Sequence, residues 1–172
     1  NDVLVVMTGC AATACAKVGL LQPEAAMQIA GKGLREICEA VGIPPVHPEI
    51  GYGYLREGAA VGGAWPRSRV KRVAAFHEKP TLERARRFLK GGFYWNSGMF
   101  AWRASSILEE LRRHRPQIAV PLERWARVGP RARPWRVSAD VLRRVPALSI
   151  DRAVLERSGR VLVTSGAFRW SD

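Results

Sequence analysis

Residues 70–102 read VKRVAAFHEKPTLERARRFLKGGFYWNSGMFAW. Val70 to Phe76 has the β-branched and apolar content of a strand, and it leads into Glu78-Lys79-Pro80. Proline disfavours helical backbone at the residue before it, and Thr81 can cap a helix that runs through Lys90. Leu82, Ala85, Phe88 and Leu89 share one face of that helix, and Gly91-Gly92 end it. Tyr94 to Trp102 then reads as a strand, with an interruption expected near Asn96-Ser97-Gly98. Strand, helix and strand in direct succession predict an α/β sheet covered by helices.

The flanks extend the pattern. Ser105 or Ser106 opens a further helix, with Ile107, Leu108 and Leu111 inward, that stops before Pro116. Between Pro116 and Pro146 the chain is rich in arginine and proline with weak periodicity; a short helix around Leu122 to Val128 and a loop at Gly129 to Pro134 are expected. Ile150 to Arg157 reads as helix with Ser149 as its cap, Arg160 to Ser165 as a strand, and a last short strand ends at Trp170-Ser171-Asp172. Upstream, Val3 to Met7 is an apolar run suited to a buried parallel strand. Pro23, Met27, Leu34, Cys38 and Val41 predict a helix ending at Gly42, although Gly31 and Gly33 would each cost it roughly 1 kcal/mol. Ile43 to Gly63 reads as loop-rich.

A length of 172 residues fits one domain, and 47% hydrophobic with 25% charged residues is ordinary for a globular chain. No apolar run reaches the ~20 residues that span a bilayer, so no membrane association is expected. The start carries an acid at Asp2 and no positive segment, unlike a secretory signal, and it opens directly on the Val3 strand as though mid-domain. A net charge of +13 invites a nucleic-acid reading. Lysine occurs only at positions 17, 32, 71, 79 and 90, however, and the arginines are scattered from Arg35 to Arg169 without a recognition motif. No nucleic-acid partner is expected. Cys10, Cys15 and Cys38 form no CxxC pair, which suggests reduced thiols in a cytoplasm, and His47, His77 and His114 lie far apart in the sequence.

Four segments carry chemistry. In Gly51-Tyr52-Gly53-Tyr54 the glycines let backbone approach a ligand closely, although such a segment alone is more often a turn. Glu78 can accept hydrogen bonds from sugar hydroxyls, and Lys79 can neutralise a phosphate; their place at a strand end favours function over a solvated pair. Asn96, within Trp95-Asn96-Ser97-Gly98-Met99-Phe100, offers both a donor and an acceptor, against a bland reading as a turn between core aromatics. Asp172 offers a carboxylate suited to Mg²⁺ beside phosphates, or is simply a chain end.

In order and spacing, these segments together with Ser149-Ile150-Asp151 resemble the mannose-1-phosphate guanylyltransferases, from about Gly42 to Asp172 and again at the first strand. The resemblance implies a Rossmann-like, GT-A-like nucleotidyltransferase sheet covered by helices. It also implies guanylyl transfer from GTP to mannose 1-phosphate, with Mg²⁺ as cofactor and release of pyrophosphate. Carried over by position, Gly51, Tyr52 and Gly53 would line the sugar cleft, and Glu78 and Asn96 would hold hydroxyls. Lys79 would be the catalytic cation at the sugar phosphate, and Asp172 the metal ligand. Residues 8–41 do not resemble the family. The glycine-rich phosphate loop expected before the first strand is not in the sequence, and Thr8-Gly9-Cys10-Ala11 stands where an aspartate-bearing segment is expected. The expectation is therefore a partial nucleotidyltransferase domain, incomplete at both ends, that keeps the sugar-binding half and is inactive alone. A longer parent chain could form a homo-oligomer. The rival readings are a nucleotidylyltransferase for another hexose 1-phosphate, such as a glucose type, and a non-catalytic basic interaction module.

Overall fold

The computed structural model describes residues 4–7, 38–61, 70–128 and 137–166. Six strands appear among them: β1 (Leu4–Met7), β2 (Cys38–Ile43), β3 (Gly53–Ala60), β4 (Val70–Glu78), β5 (Phe93–Arg103) and β6 (Val161–Ser165). Four α-helices accompany them: α1 (Leu82–Lys90), α2 (Ala104–His114), α3 (Pro116–Val128) and α4 (Ala139–Arg144). One π-turn covers Asp151–Leu155. The 129–134 loop, the helix from Pro23 up to residue 37 and the last strand to Asp172 lie outside the described residues.

Local chemistry accounts for the β4–α1–β5 unit. The Thr81 hydroxyl accepts from the backbone N–H of Arg84 at 3.4 Å, and Glu83 in the first turn with Arg87 and Lys90 in the last complements the helix dipole. Gly91 N–H closes the helix on the Phe88 carbonyl at 3.0 Å, and Gly92, at φ +69°, turns the chain into β5 in a conformation that L side chains resist. Ala85 and Phe88 face the sheet, while Leu82, expected inward, is 46% exposed at the first helical position. Leu108 on α2 is likewise exposed, so Ile107 and Leu111 make that helix's contact with the core.

The strands form one mixed α/β sheet in the order β1-β5-β2-β6-β4-β3, and β3 also pairs with β5, so the ladder closes on itself. β2 and β6 run parallel, from Cys38 opposite Val161 to Gly42 opposite Ser165; the other pairings are antiparallel. β1 therefore differs from the parallel strand expected at Val3 to Met7: its partner β5 runs the opposite way, with Leu4 opposite Arg103. The interruption expected at Asn96-Ser97-Gly98 is a bulge within a continuous strand. Ala40 pairs with Phe100 and Gly42 with Asn96, so β5 carries extra residues there, and Gly98 takes φ +71°.

The helix expected to end at Gly42 is corrected over its last residues. Cys38–Ile43 is a strand with β5 on one side and β6 on the other. Ala40, Val41 and Ile43 are all buried, so both faces of the strand are covered. The loop expected from Ile43 to Gly63 contains β3, whose glycines disguise a strand that pairing to β4 and β5 enforces. α3 starts at Pro116, six residues before the expected short helix, because proline suits a first helical position. Weak periodicity hid α4, although Ser138 caps it by accepting from Val141 N–H at 3.4 Å.

Two cores flank the sheet. On one face Ala40, Leu55, Phe76, Phe100, Trp102, Val161 and Val163 pack against Ile107, Ile118 and the π-turn's Ala153, Val154 and Leu155. On the other, Ile43, Tyr54 and Trp95 pack against Ala85 and Phe88 of α1. The carboxylate of Glu110, 2% exposed, accepts from His114 Nε2 at 3.1 Å and Arg160 Nη1 at 3.2 Å, tying α2 to the start of β6.

Candidate functional site

The strand register builds the site. Gly53 opens β3 opposite Glu78, the last residue of β4, and opposite Asn96 on β5. Residues paired across adjacent strands present their side chains on one face, so Glu78 and Asn96 stand on either side of a residue that has none. A Cβ at Gly53 would lie 2.6 Å from Glu78 Oε2, 3.2 Å from Asn96 Cβ and 3.4 Å from Asn96 Nδ2. The carboxylate and the amide thus border the same small space, at the carboxyl end of β4.

Lys79 follows at φ +50°, the one non-glycine residue among those described with a positive φ. Pro80 already disfavours the helical region at Lys79, so this backbone is strained by an estimated ~1 kcal/mol or more. Its N–H donates to the Tyr52 carbonyl at 3.2 Å, which holds the turn, and its side chain is exposed. Gly51 lies in the exposed loop and donates to Glu49 Oε1 at 2.8 Å. The Tyr52 ring meets the edge of Trp95 at 5.4 Å and packs with the α1-side core, away from the Glu78 side chain's face. The structure therefore gathers Gly53, Glu78 and Asn96 with Lys79 beside them. Tyr52 meets Lys79 only through its backbone carbonyl, Gly51 bonds within its own loop, and Asp172 lies outside the described residues.

Two further carboxylates come from the π-turn region. Asp151 Oδ1 accepts from Asn96 Nδ2 at 3.1 Å, and Glu156 Oε1 accepts from the backbone N–H of Glu78 at 2.7 Å. Burial lifts the Glu78 carboxyl above its ordinary range, and Asp151 opposite adds to this against the pull of Lys79 and Arg152. Burial likewise raises Asp151, opposed by its hydrogen bonds from the backbone, Asn96 and Ser149. Neither Asp151 nor Glu156 was assigned a role from sequence. They are five residues apart, a spacing that puts two side chains on different sides of an α-helix, so periodicity conceals that one bonds Asn96 and the other Glu78.

Chemically, the site offers acceptors at Glu78, one amide with both functions at Asn96, and an exposed cation at Lys79, a set suited to a polyhydroxylated ligand carrying a phosphate. Among the described residues no three His, Cys, Asp or Glu side chains stand ready to hold a metal. No helix among the described residues is long and apolar enough to cross a membrane.

The profile of the family described as Nucleotidyl transferase matches residues 21–132, well over half of the chain, and the chain belongs to that family of enzymes. Within it, the chain is 44% identical over 133 residues to the mannose-1-phosphate guanylyltransferase ManC of Salmonella typhimurium, covering 76% of this chain and 28% of that protein. It is 42% identical over 136 residues to the alginate biosynthesis protein AlgA of Pseudomonas aeruginosa, with 76% and 27% covered. The solved mannose-1-phosphate geranyltransferase from Thermus thermophilus superposes with a TM-score of 0.72 at 30% identity, over 99% of this chain and 46% of that one. The mannose-6-phosphate isomerase from Helicobacter pylori gives a TM-score of 0.69 at 29% identity, over 87% and 56%. The chain spans under a third of the length of these curated relatives. The Rossmann-like nucleotidyltransferase fold is that of the family, and the family match begins at residue 21, inside the 8–41 stretch that does not resemble it by motif.

Proposed function

We propose that this chain supplies the sugar-phosphate half of a mannose-1-phosphate guanylyltransferase, an enzyme that joins the guanylyl group of GTP to mannose 1-phosphate and releases pyrophosphate. The observation that carries the reading is the placement of Glu78 and Asn96 around the absent side chain of Gly53. Glu78 accepts from sugar hydroxyls, Asn96 both donates and accepts, and Gly53 leaves room for the ring. Lys79 neutralises the sugar phosphate, whose oxygen attacks the α-phosphorus in line; positioning and charge neutralisation then provide most of the catalysis. Mg²⁺ is the proposed cofactor; Asp172 would hold it, and it would offset phosphate charge. The partners are GTP and mannose 1-phosphate in a cytoplasm, with no nucleic acid. The curated relatives named for this activity support the substrate assignment.

Calorimetric titration of the 172-residue chain with mannose 1-phosphate tests it. Binding is expected, with Glu78→Ala and Asn96→Ala each weakening it about tenfold or more, as loss of a hydrogen bond involving a charged group or an oriented amide does. Unchanged affinity in both variants would contradict the reading. Pyrophosphate release from GTP is expected to stay at background for this chain alone, because no glycine-rich phosphate loop occurs in its sequence. Turnover that disappears in Lys79→Ala would show instead that the chain is a complete catalyst.

A further inference from the structure

The π-turn at Asp151–Leu155 reaches the two strands that bracket Gly53. The N–H of Glu156 donates to the Asp151 carbonyl at 2.9 Å, across five residues. Five residues of α-helix advance roughly 500°, which leaves their side chains about 140° apart around the axis. Closing the bond at the fifth residue widens the turn and brings the later side chain back over the first. Asp151 and Glu156 consequently both face the sheet. Asp151 takes an N–H of the Asn96 side chain, and Glu156 takes the backbone N–H of Glu78. A single π-turn thus braces both groups proposed to touch the sugar.

The Asn96 amide is held at both ends. Its Oδ1 accepts from Gly98 N–H at 3.2 Å, and its Nδ2 donates to Asp151 at 3.1 Å. One N–H and one lone pair are left for a ligand. An ionised carboxylate only accepts, so Asp151 dictates which end of the amide faces it and where the remaining donor points. We infer, on the basis of the sugar-phosphate reading above, that Asp151 is a positioning residue that orients Asn96 and so sets the choice among hexose 1-phosphates. Burial, which raises both carboxyls above their ordinary range, works against a charge on Asp151 beside Glu78. A group held in place at a cost to stability is the kind that serves binding.

The test uses the whole chain with Asp151→Ala and Asp151→Asn, titrated with mannose 1-phosphate and with glucose 1-phosphate, its epimer at carbon 2. Wild type is expected to prefer mannose 1-phosphate. Asp151→Ala should weaken that ligand about tenfold and flatten the preference, and Asp151→Asn, which can still accept, should recover most of both. Melting midpoints at neutral pH should stay at or above wild type, and the Asn96 side-chain amide signals in a ¹⁵N–¹H spectrum should move in the alanine variant. Unchanged affinity and preference in Asp151→Ala, or a midpoint that falls in step with affinity, would overturn the assignment while leaving the sugar-phosphate reading intact. A wild-type chain that binds neither hexose phosphate, with the Asn96 signals still moving, would contradict the sugar-phosphate reading instead.

Discussion

Gly53 does its work by having no side chain. A methyl group there would press on Glu78 Oε2 at 2.6 Å and on Asn96 Cβ at 3.2 Å, and the softer of these two neighbours is the carboxylate, at the end of a flexible chain. Gly53→Ala should therefore move Glu78 more than it unfolds the sheet. We expect mannose 1-phosphate affinity to fall several-fold while urea unfolding loses no more than about 1–2 kcal/mol. A large stability loss with affinity unchanged would mean that Gly53 is needed for packing alone. Gly53, Glu78, Lys79 and Asn96 were legible in the sequence because each is a chemically distinctive residue in a short motif. Asp151 was visible as part of a motif but not as a neighbour of Asn96, since 55 residues separate them and only the fold brings them together.

Among the elements, those with strong local signals were read correctly. Thr81, Pro80 and Gly91-Gly92 fix α1, and the apolar runs fix β4, β5 and β6. The misreadings fell where local and tertiary preferences disagree. Cys38 to Val41 has a spacing that helix and strand share over so few residues, and the pairing with β5 and β6 decides it. β3 is glycine-bearing and charged, and two neighbouring strands hold it in place. Glu110 links elements in a way no periodicity reveals. Burial works against its charge, but hydrogen bonds from Ser158, Arg160 and His114 outweigh it and hold the carboxyl below its ordinary range. A carboxylate with a lowered folded pKa contributes stability above its unfolded value of 4.5, and that contribution is lost as pH falls through the folded value. Glu110→Gln, which weakens hydrogen bonds to a charged group, should cost about 1.5–3 kcal/mol in urea unfolding at pH 7, and the gap to wild type should close in acid below 4.5. A gap independent of pH would show that the charge of Glu110 plays no part.

At the scale of the whole molecule, the net charge of +13 and its scattered arginines could have been read as a surface for polyanions. Among the described residues, acceptors, an amide and a cation stand together on the sheet face braced by the π-turn. The central claim is that this place binds the sugar phosphate. Amide ¹⁵N–¹H spectra recorded while mannose 1-phosphate is added to the chain test it most directly. The account predicts that the largest shifts fall at Gly53, Glu78, Lys79, Asn96 and Asp151, with α1 and α3 little changed. Shifts concentrated along the arginines of α3, or on the Ala85 and Phe88 side of the sheet, would contradict it.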